Sequence, residues 1–143
     1  MAVTVQLYNH TAQLFASGAN LSSDTYKLKL YTAVTFDATN TTLAGVGGTE
    51  TTGGTGYIAG GQTLTNVTVT TVTTNDAKFD ADDVTWTASG GSITASYGVI
   101  YNSTDAGSPP IAFIEFGGSQ SAGSGTDFKV IWDSTGIFLF TVT

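Results

Sequence analysis

Hydrophobic and polar residues alternate along most of this chain with a period of two, the spacing that sends successive side chains to opposite faces of a strand. Residues 25–33 set Tyr26, Leu28 and Leu30 against Lys27, Lys29 and Tyr31, which predicts a strand with one buried face. The pattern recurs over 64–73, where Val67 and Val69 share a face, over 77–79, and over 84–88, where Val84, Trp86 and Ala88 alternate with threonines. Residues 93–101 are long and strongly β-forming. Pro109 and Pro110 separate them from 111–116, and strands over 128–132 and 137–142 close the chain.

Two stretches depart from this period. Leu7, Leu14 and Phe15, with Ala12 and Ala16 between them and Gly18 following as a helix-ending residue, predict a short helix over 7–17. Leu21, Ser22, Ser23 and Asp24 then form a turn cluster. Residues 35–62 are a tract of Thr, Gly and Ala containing Gly45-Val46-Gly47-Gly48 and Gly53-Gly54-Thr55-Gly56. A structureless loop longer than about 15 residues is uncommon in a compact domain and usually serves a partner. The tract is therefore read as an interaction arm, protease-sensitive when free, with Phe36, Val46, Tyr57 and Ile58 as its partner-binding residues. The Gly- and Ser-rich stretch 117–125 reads as a mobile hairpin tip on the same sheet.

Short strands separated by turn signals predict an all-β fold, an antiparallel β-sandwich or jelly-roll-like arrangement of about 8 strands with one N-terminal helix. At 143 residues the chain fits a single domain spanning 1–143. Its 41% hydrophobic and 11% aromatic content separates it from disordered acidic segments. Without cysteine, disulfides, thiolate catalysis and sulfur-ligated zinc are excluded. The net charge of −7 on only four basic residues disfavours nucleic acid and anionic membrane surfaces as partners. The first residues lack the basic and apolar regions of a signal peptide, so synthesis and retention in a cytoplasm is expected.

Candidates for chemistry are few. His10 is the single histidine and stands on the predicted helix, where a solvated or capping role outweighs a catalytic one. There is no Gly-x-Ser-x-Gly elbow or Gly-Lys pair, and Gly45-Val46-Gly47 is followed by Glu50 where a dinucleotide-binding loop needs its third glycine. Asp76, Asp80, Asp82 and Asp83 form the densest acidic group. Asp80, Asp82 and Asp83 are the metal candidates, with Ca²⁺ the fitting ion, although turn-forming aspartates are the simpler reading. Glu115, near Phe113 and Phe116, reads as a rim carboxylate. Trp86, Trp132, Phe79, Phe113, Phe128, Tyr97, Phe138 and Phe140 occupy core positions, whereas Tyr8, Tyr31, Tyr57 and Tyr101 lie near element ends, where a sugar-binding platform would need them. No cofactor is implied.

Several phrases together resemble a family of small tailed-bacteriophage structural proteins, the head decoration, cement and tail proteins. They are Leu21-Ser22-Ser23-Asp24-Thr25-Tyr26-Lys27-Leu28-Lys29-Leu30, Phe79-Asp80-Ala81-Asp82-Asp83-Val84-Thr85-Trp86, Tyr97-Gly98-Val99-Ile100-Tyr101-Asn102, Pro110-Ile111-Ala112-Phe113-Ile114 and Ile131-Trp132-Asp133-Ser134-Thr135-Gly136-Ile137-Phe138. These are strand and turn phrases covering the chain from about Leu7 onward, and the tract 35–62 is longer than in shorter members of the family. The resemblance implies a non-enzymatic virion protein, made in the host cytoplasm and placed on the capsid exterior. Its partners would be the major capsid protein or other virion proteins, and it would act as a homo-oligomer, a trimer on symmetry grounds, though two-fold or monomeric attachment stays open. A tail or head-fibre component and a carbohydrate- or receptor-binding β module are the alternatives. An enzyme relying on Asp82, Asp83 or Glu115 ranks behind them.

Overall fold

The computed structural model describes residues 3–17, 23–53, 55–73 and 76–141. Its accessible surface of 7109 Å² is close to the roughly 6,900 Å² that area scaling gives a folded monomer of this mass. Eleven strands and two short helices are present among the described residues: β1 (Thr4–Leu7), α1 (Thr11–Ser17), β2 (Tyr26–Ala33), α2 (Leu43–Val46), β3 (Thr49–Glu50), β4 (Gln62–Thr63), β5 (Thr68–Thr73), β6 (Asp76–Asp80), β7 (Val84–Thr87), β8 (Ile93–Asn102), β9 (Pro110–Ala122), β10 (Asp127–Val130) and β11 (Phe138–Phe140). The main sheet runs β1-β9-β8-β2-β3, with β4 also paired to β2. Two smaller sheets, β10-β7 and β11-β6-β5, form a second layer, and every pairing is antiparallel. The fold is all-β and sandwich-like.

The alternation in β2 decides the layering. Tyr26, Leu28 and Leu30 point to one face and are wholly buried; their partners on β8, Asn102, Ile100 and Gly98, lie on the same face. Over this face pack Phe79, Trp86, Phe128 and Phe138 from the smaller sheets, and Leu14 and Phe15 from α1. Phe79 and Phe138 stack with ring centroids 4.8 Å apart, and Phe15 approaches Tyr26 and Phe79. Gly98 leaves room at the centre: a Cβ there would lie 2.9 Å from Leu28 Cδ1.

The opposite face of the main sheet carries Tyr31, Val99, Phe113 and Tyr8, a second apolar cluster that would be wet if left open. It is covered by Val34, Phe36, Leu43 and Val46. The tract 35–62 is therefore not a structureless arm. It crosses the second face, forms α2 with Thr42 capping the Gly45 N–H, and returns along the outer edge of β2 as β3 and β4. Apolar residues scattered among Gly and Thr are too sparse to show a period, yet enough of them reach the sheet to anchor the tract. This removes the reason to expect its cleavage in the free chain.

Three smaller expectations are also corrected. Leu7 belongs to β1, whose alternation pairs it with Ala112, so the helix begins only at Thr11, held by the Thr11 hydroxyl donating to the Ile111 carbonyl at 2.7 Å. The stretch 117–125 is not a hairpin tip throughout: residues up to Ala122 continue β9 and pair with β8 at Ile93, Thr94 and Ala95. Gly117 and Gly118, at φ 75° and 133°, supply the backbone for the irregularity between the two halves of that ladder, and the turn itself is closed by Thr126 donating to Gly123. More strands and one more helix form than expected. Gly18, Leu21, Ser22, Gly54 and Val142, which the sequence patterns above include, lie outside the described residues.

Gly61 is the glycine on which the return of the tract depends. Its φ is 85°, and a Cβ would fall 2.0 Å from the Leu28 carbonyl oxygen. Gly61→Ala is expected to lower the unfolding free energy by about 1–3 kcal/mol, read as a lower denaturation midpoint in urea with an unchanged slope. An unchanged midpoint would mean that the tract does not hold to β2 in this way.

Candidate functional site

The acidic turn was the sequence's best offer of a cation site, and the structure sends its carboxylates apart. Asp80 pairs with Lys78 at 3.2 Å and accepts the Ala81 N–H. Asp82 accepts from Thr65 Oγ1 at 3.0 Å and Asn66 Nδ2 at 2.7 Å, holding Asn66 in its left-handed conformation (φ 51°). Asp83 accepts the Trp132 N–H at 2.9 Å, while the Trp132 indole N–H donates to the Asp82 carbonyl. Among the described residues no three His, Cys, Asp or Glu side chains converge on a common point. These aspartates tie the 65–66 and 132 connections to the start of β7.

His10 Nε2 donates to the Pro110 carbonyl at 2.7 Å and so fixes the approach to α1 against the start of β9. Glu115 is exposed, on the face opposite the main core and in register with Thr4 and Tyr97. Tyr8, Tyr31, Tyr57 and Tyr101 are all buried, which corrects their reading as an exposed sugar platform. Each gained burial when the tract 35–62 folded over the sheet and its edge, an event that period-two patterning does not reveal. Of the four expected partner contacts, Val46 and Tyr57 are core residues, and Phe36 is half-buried between Tyr8 and Phe113 at 5.2 and 5.1 Å. Ile58 alone stands out, 75% exposed.

The most organised polar cluster was missed by sequence reading. Glu50 on β3 accepts the Tyr57 hydroxyl at 2.9 Å and the Gly60 N–H at 2.5 Å through Oε1, and pairs with Lys29 at 3.1 Å through Oε2. Tyr57 Oη in turn accepts the Leu30 N–H at 3.1 Å, and the Tyr101 hydroxyl donates to the Gly60 carbonyl at 2.7 Å. Partial burial alone would raise the Glu50 pKa, but the Gly60, Tyr57 and Lys29 donors outweigh it and hold the carboxylate below its ordinary value. Burial pushes the Tyr31 phenol up to about 12, and burial likewise raises Tyr57, aided by the Glu50 charge. The cluster keeps one carboxylate ionised and one phenol neutral; its donors and acceptors face each other, which makes it a clamp.

The open surface lies elsewhere. A groove of about 810 Å³ runs between β1 and β10, lined on one side by Val3 and Val5 and on the other by Phe128, Lys129, Ile131 and Trp132. Gln120, Asp127 and Asp133 add polar groups along it. On the far sheet, β5 is exposed on both faces, with Val69 40% and Val72 48% accessible. A strand predicted by alternation is assumed to bury one face, so nothing in its sequence gave away that β5 buries neither. Among the described residues no helix is long and apolar enough to cross a membrane. Compared with protein-family models, curated proteins and solved structures, the chain matches none.

The pH dependence of stability follows from these groups. Glu50, with its depressed folded pKa, stabilises the fold above its unfolded value near 4.3, and that contribution is lost as pH falls through the folded pKa. Asp37 and Asp133, lowered by hydrogen bonds from Thr39 and Thr135, act in the same direction. Tyr8, Tyr26, Tyr31, Tyr57 and Tyr101 have raised values, so their contribution is complete below an unfolded value near 10 and disappears as pH climbs through the folded ones. Urea unfolding between pH 3 and 11 should give a plateau with an acid and an alkaline limb, and Glu50→Gln should flatten the acid limb while lowering the plateau by about 1–3 kcal/mol. An acid limb unaltered by the substitution would contradict the clamp.

Proposed function

We propose that this chain is a structural subunit of a tailed-bacteriophage particle, a decoration protein that binds the outer face of the shell and bridges capsomers. The observation that carries the reading is how the charged groups are used. Asp80, Asp82, Asp83 and Glu50 are engaged in fixing turns and a sheet edge, whereas apolar Val3, Ile58, Val69, Val72 and Ile131 stand exposed on strands and connections. Such a surface suits docking onto a larger assembly repeated in many copies, each contact stabilising the shell by mass action. The phage-like phrases support the same reading: Phe79-Asp80-Ala81-Asp82-Asp83 and Ile131-Trp132-Asp133 are the segments joined through Asp82, Asp83 and Trp132. The net charge of −7 favours the solvent side of a particle over contact with packaged DNA. Quantitative gel analysis of purified particles should find copies in the hundreds per virion. A handful per particle would move the protein to the tail or a head fibre, and absence from particles would end the reading.

A carbohydrate-binding role has one observation in its favour, the half-buried Trp132 in the groove beside Gln120, Asp127 and Asp133. On a glycan array this reading expects binding that Trp132→Ala weakens by at least roughly tenfold, about 1.4 kcal/mol. Absence of binding by the unaltered protein removes it.

A further inference from the structure

Along an antiparallel ladder, successive residues direct their peptide groups alternately toward and away from the partner strand. The Tyr8 N–H donates to the Ile111 carbonyl, so Gln6 and Thr4 also face β9, and Val5 sends its N–H and C=O to the outer edge of the main sheet. Among the described residues no strand takes them up. The side chains at this edge are open as well. Val3 and Val5 share a face with Leu7, which packs on the main core, yet they are 58% and 36% exposed. They form one wall of the groove of about 810 Å³, residues 127–133 line the other without a break, and the buried Phe116 and Ile137 complete the lining. The groove is thus a gap between the two layers, with an unpaired strand edge along one side. The other edges lack this combination. β10 carries Lys129, a charge that opposes addition there, and the tract approaches β7 at Gly56, where a Cβ would fall 2.0 Å from the Thr87 carbonyl oxygen. β3 and β4 have two residues each and β11 has three. β5 is longer and uncharged, but it is exposed on both faces, so its ladder selects no particular partner.

We infer that an extended, cationic segment of a different protein adds as a strand to the outer edge of β1, its apolar alternate side chains filling the groove against β10. The main-chain bonds come from Val5, and the recess formed by Val3, Val5, Phe128, Val130 and Ile131 takes every second side chain. Charge selects the kind of occupant. Asp127 and Asp133 stand on the β10 wall, and Glu115, the pair partner of Thr4, is exposed on the other face of the main sheet. Against these three carboxylates the groove has one cation, Lys129, itself 3.8 Å from Asp127. A lysine placed opposite Thr4 lies two strand spacings, about 10 Å, from the Glu115 backbone, which two long side chains span. A second copy of this chain would bring its own net charge of −7 and be repelled, whereas a segment alternating apolar residues with Lys or Arg is attracted on both faces. The inference goes beyond the virion reading and does not depend on it.

The probe is a capped seven-residue peptide alternating lysine and valine, followed by fluorescence anisotropy against the full chain. It should bind with a dissociation constant below about 1 mM, and at least roughly tenfold more tightly than its glutamate-valine analogue or a peptide of the same composition with the lysines in one block. Only one set of alternate amides in an added strand faces β1, so N-methylation of either the lysines or the valines should abolish binding while the other set tolerates it. Val3→Lys with Ile131→Lys, at positions 58% and 71% exposed, should leave the circular dichroism spectrum unchanged and weaken binding. Asp127→Asn with Asp133→Asn should weaken it too and flatten its salt dependence. By hydrogen exchange the Val5 amide should be fast in the free protein and slowed in the complex. No binding, equal binding of the block peptide, binding that survives both methylated sets, or binding that leaves the Val5 amide fast would each overturn the inference. A Val5 amide already slow in the free protein and faster on dilution would give the edge to a second copy, and a glycan that displaces the peptide without slowing Val5 would give the groove to a sugar; either result also ends it. None of these outcomes bears on the copy number in particles, which tests the virion reading separately.

Discussion

The outer edge of β2 is the constraint around which this molecule is arranged. β2 lies near the middle of the main sheet, with Tyr26, Leu28 and Leu30 on one face, Tyr31 in the cluster on the other, and one edge paired to β8, so its other edge would present unpaired backbone groups beside two hydrophobic cores. Those groups are satisfied in sequence along the strand: the Tyr26 carbonyl by the Leu64 N–H at 2.8 Å, the Leu30 N–H by the Tyr57 hydroxyl, and the Leu30 carbonyl by the Thr51 N–H at 2.9 Å. The Glu50 carboxylate then binds the pieces together by holding Tyr57, Gly60 and Lys29 at once. A side chain completing a backbone ladder works only when its own hydroxyl is fixed, and a charged acceptor fixes it more strongly than a neutral one.

From that edge the rest of the architecture follows. For the tract to reach β3 from the end of β2 it crosses the second face of the main sheet, which is why Phe36, Leu43 and Val46 cover Tyr8, Tyr31 and Phe113. For it to leave again toward β5 it passes within contact of β2 at Gly61 and of β7 at Gly56, where a Cβ would fall 2.0 Å from the Leu28 and Thr87 carbonyl oxygens respectively. The glycines that give the tract the composition of a flexible loop thus include positions of close backbone approach. Composition is the same in the two cases, and only the neighbouring strand distinguishes them.

This is where legibility in the sequence ends. The strands built on alternation, β2 and β7, were readable because a buried face imposes its period on the residues, and β8 was readable from its run of β-forming residues. β3 and β4 were not, since two-residue strands carry no period, and their residues are set by an edge hydrogen bond and a carboxylate. The Glu50 clamp could have been suspected only from an isolated acidic residue inside a Gly/Thr tract. The acidic turn was legible as a cluster but not in its direction: its carboxylates diverge because Asn66, Lys78 and Trp132 each draw one away, and those partners are 16 and 49 positions distant in the chain for Asp82 and Asp83.

Edge protection also orders the surface by use. Where the chain completes an edge internally, along β2, it employs Lys29 with Glu50 close to the backbone groups they support. Where it leaves a long edge uncovered, at β5, it places Thr and Val only. With 10% of residues charged, a single lysine on β5 would have sufficed to blunt that edge, as Lys129 does on β10. The scarcity of charge thus has a structural counterpart in this fold: the Lys29–Glu50 pair serves a closure within the chain, while the exposed strand β5 carries no charge.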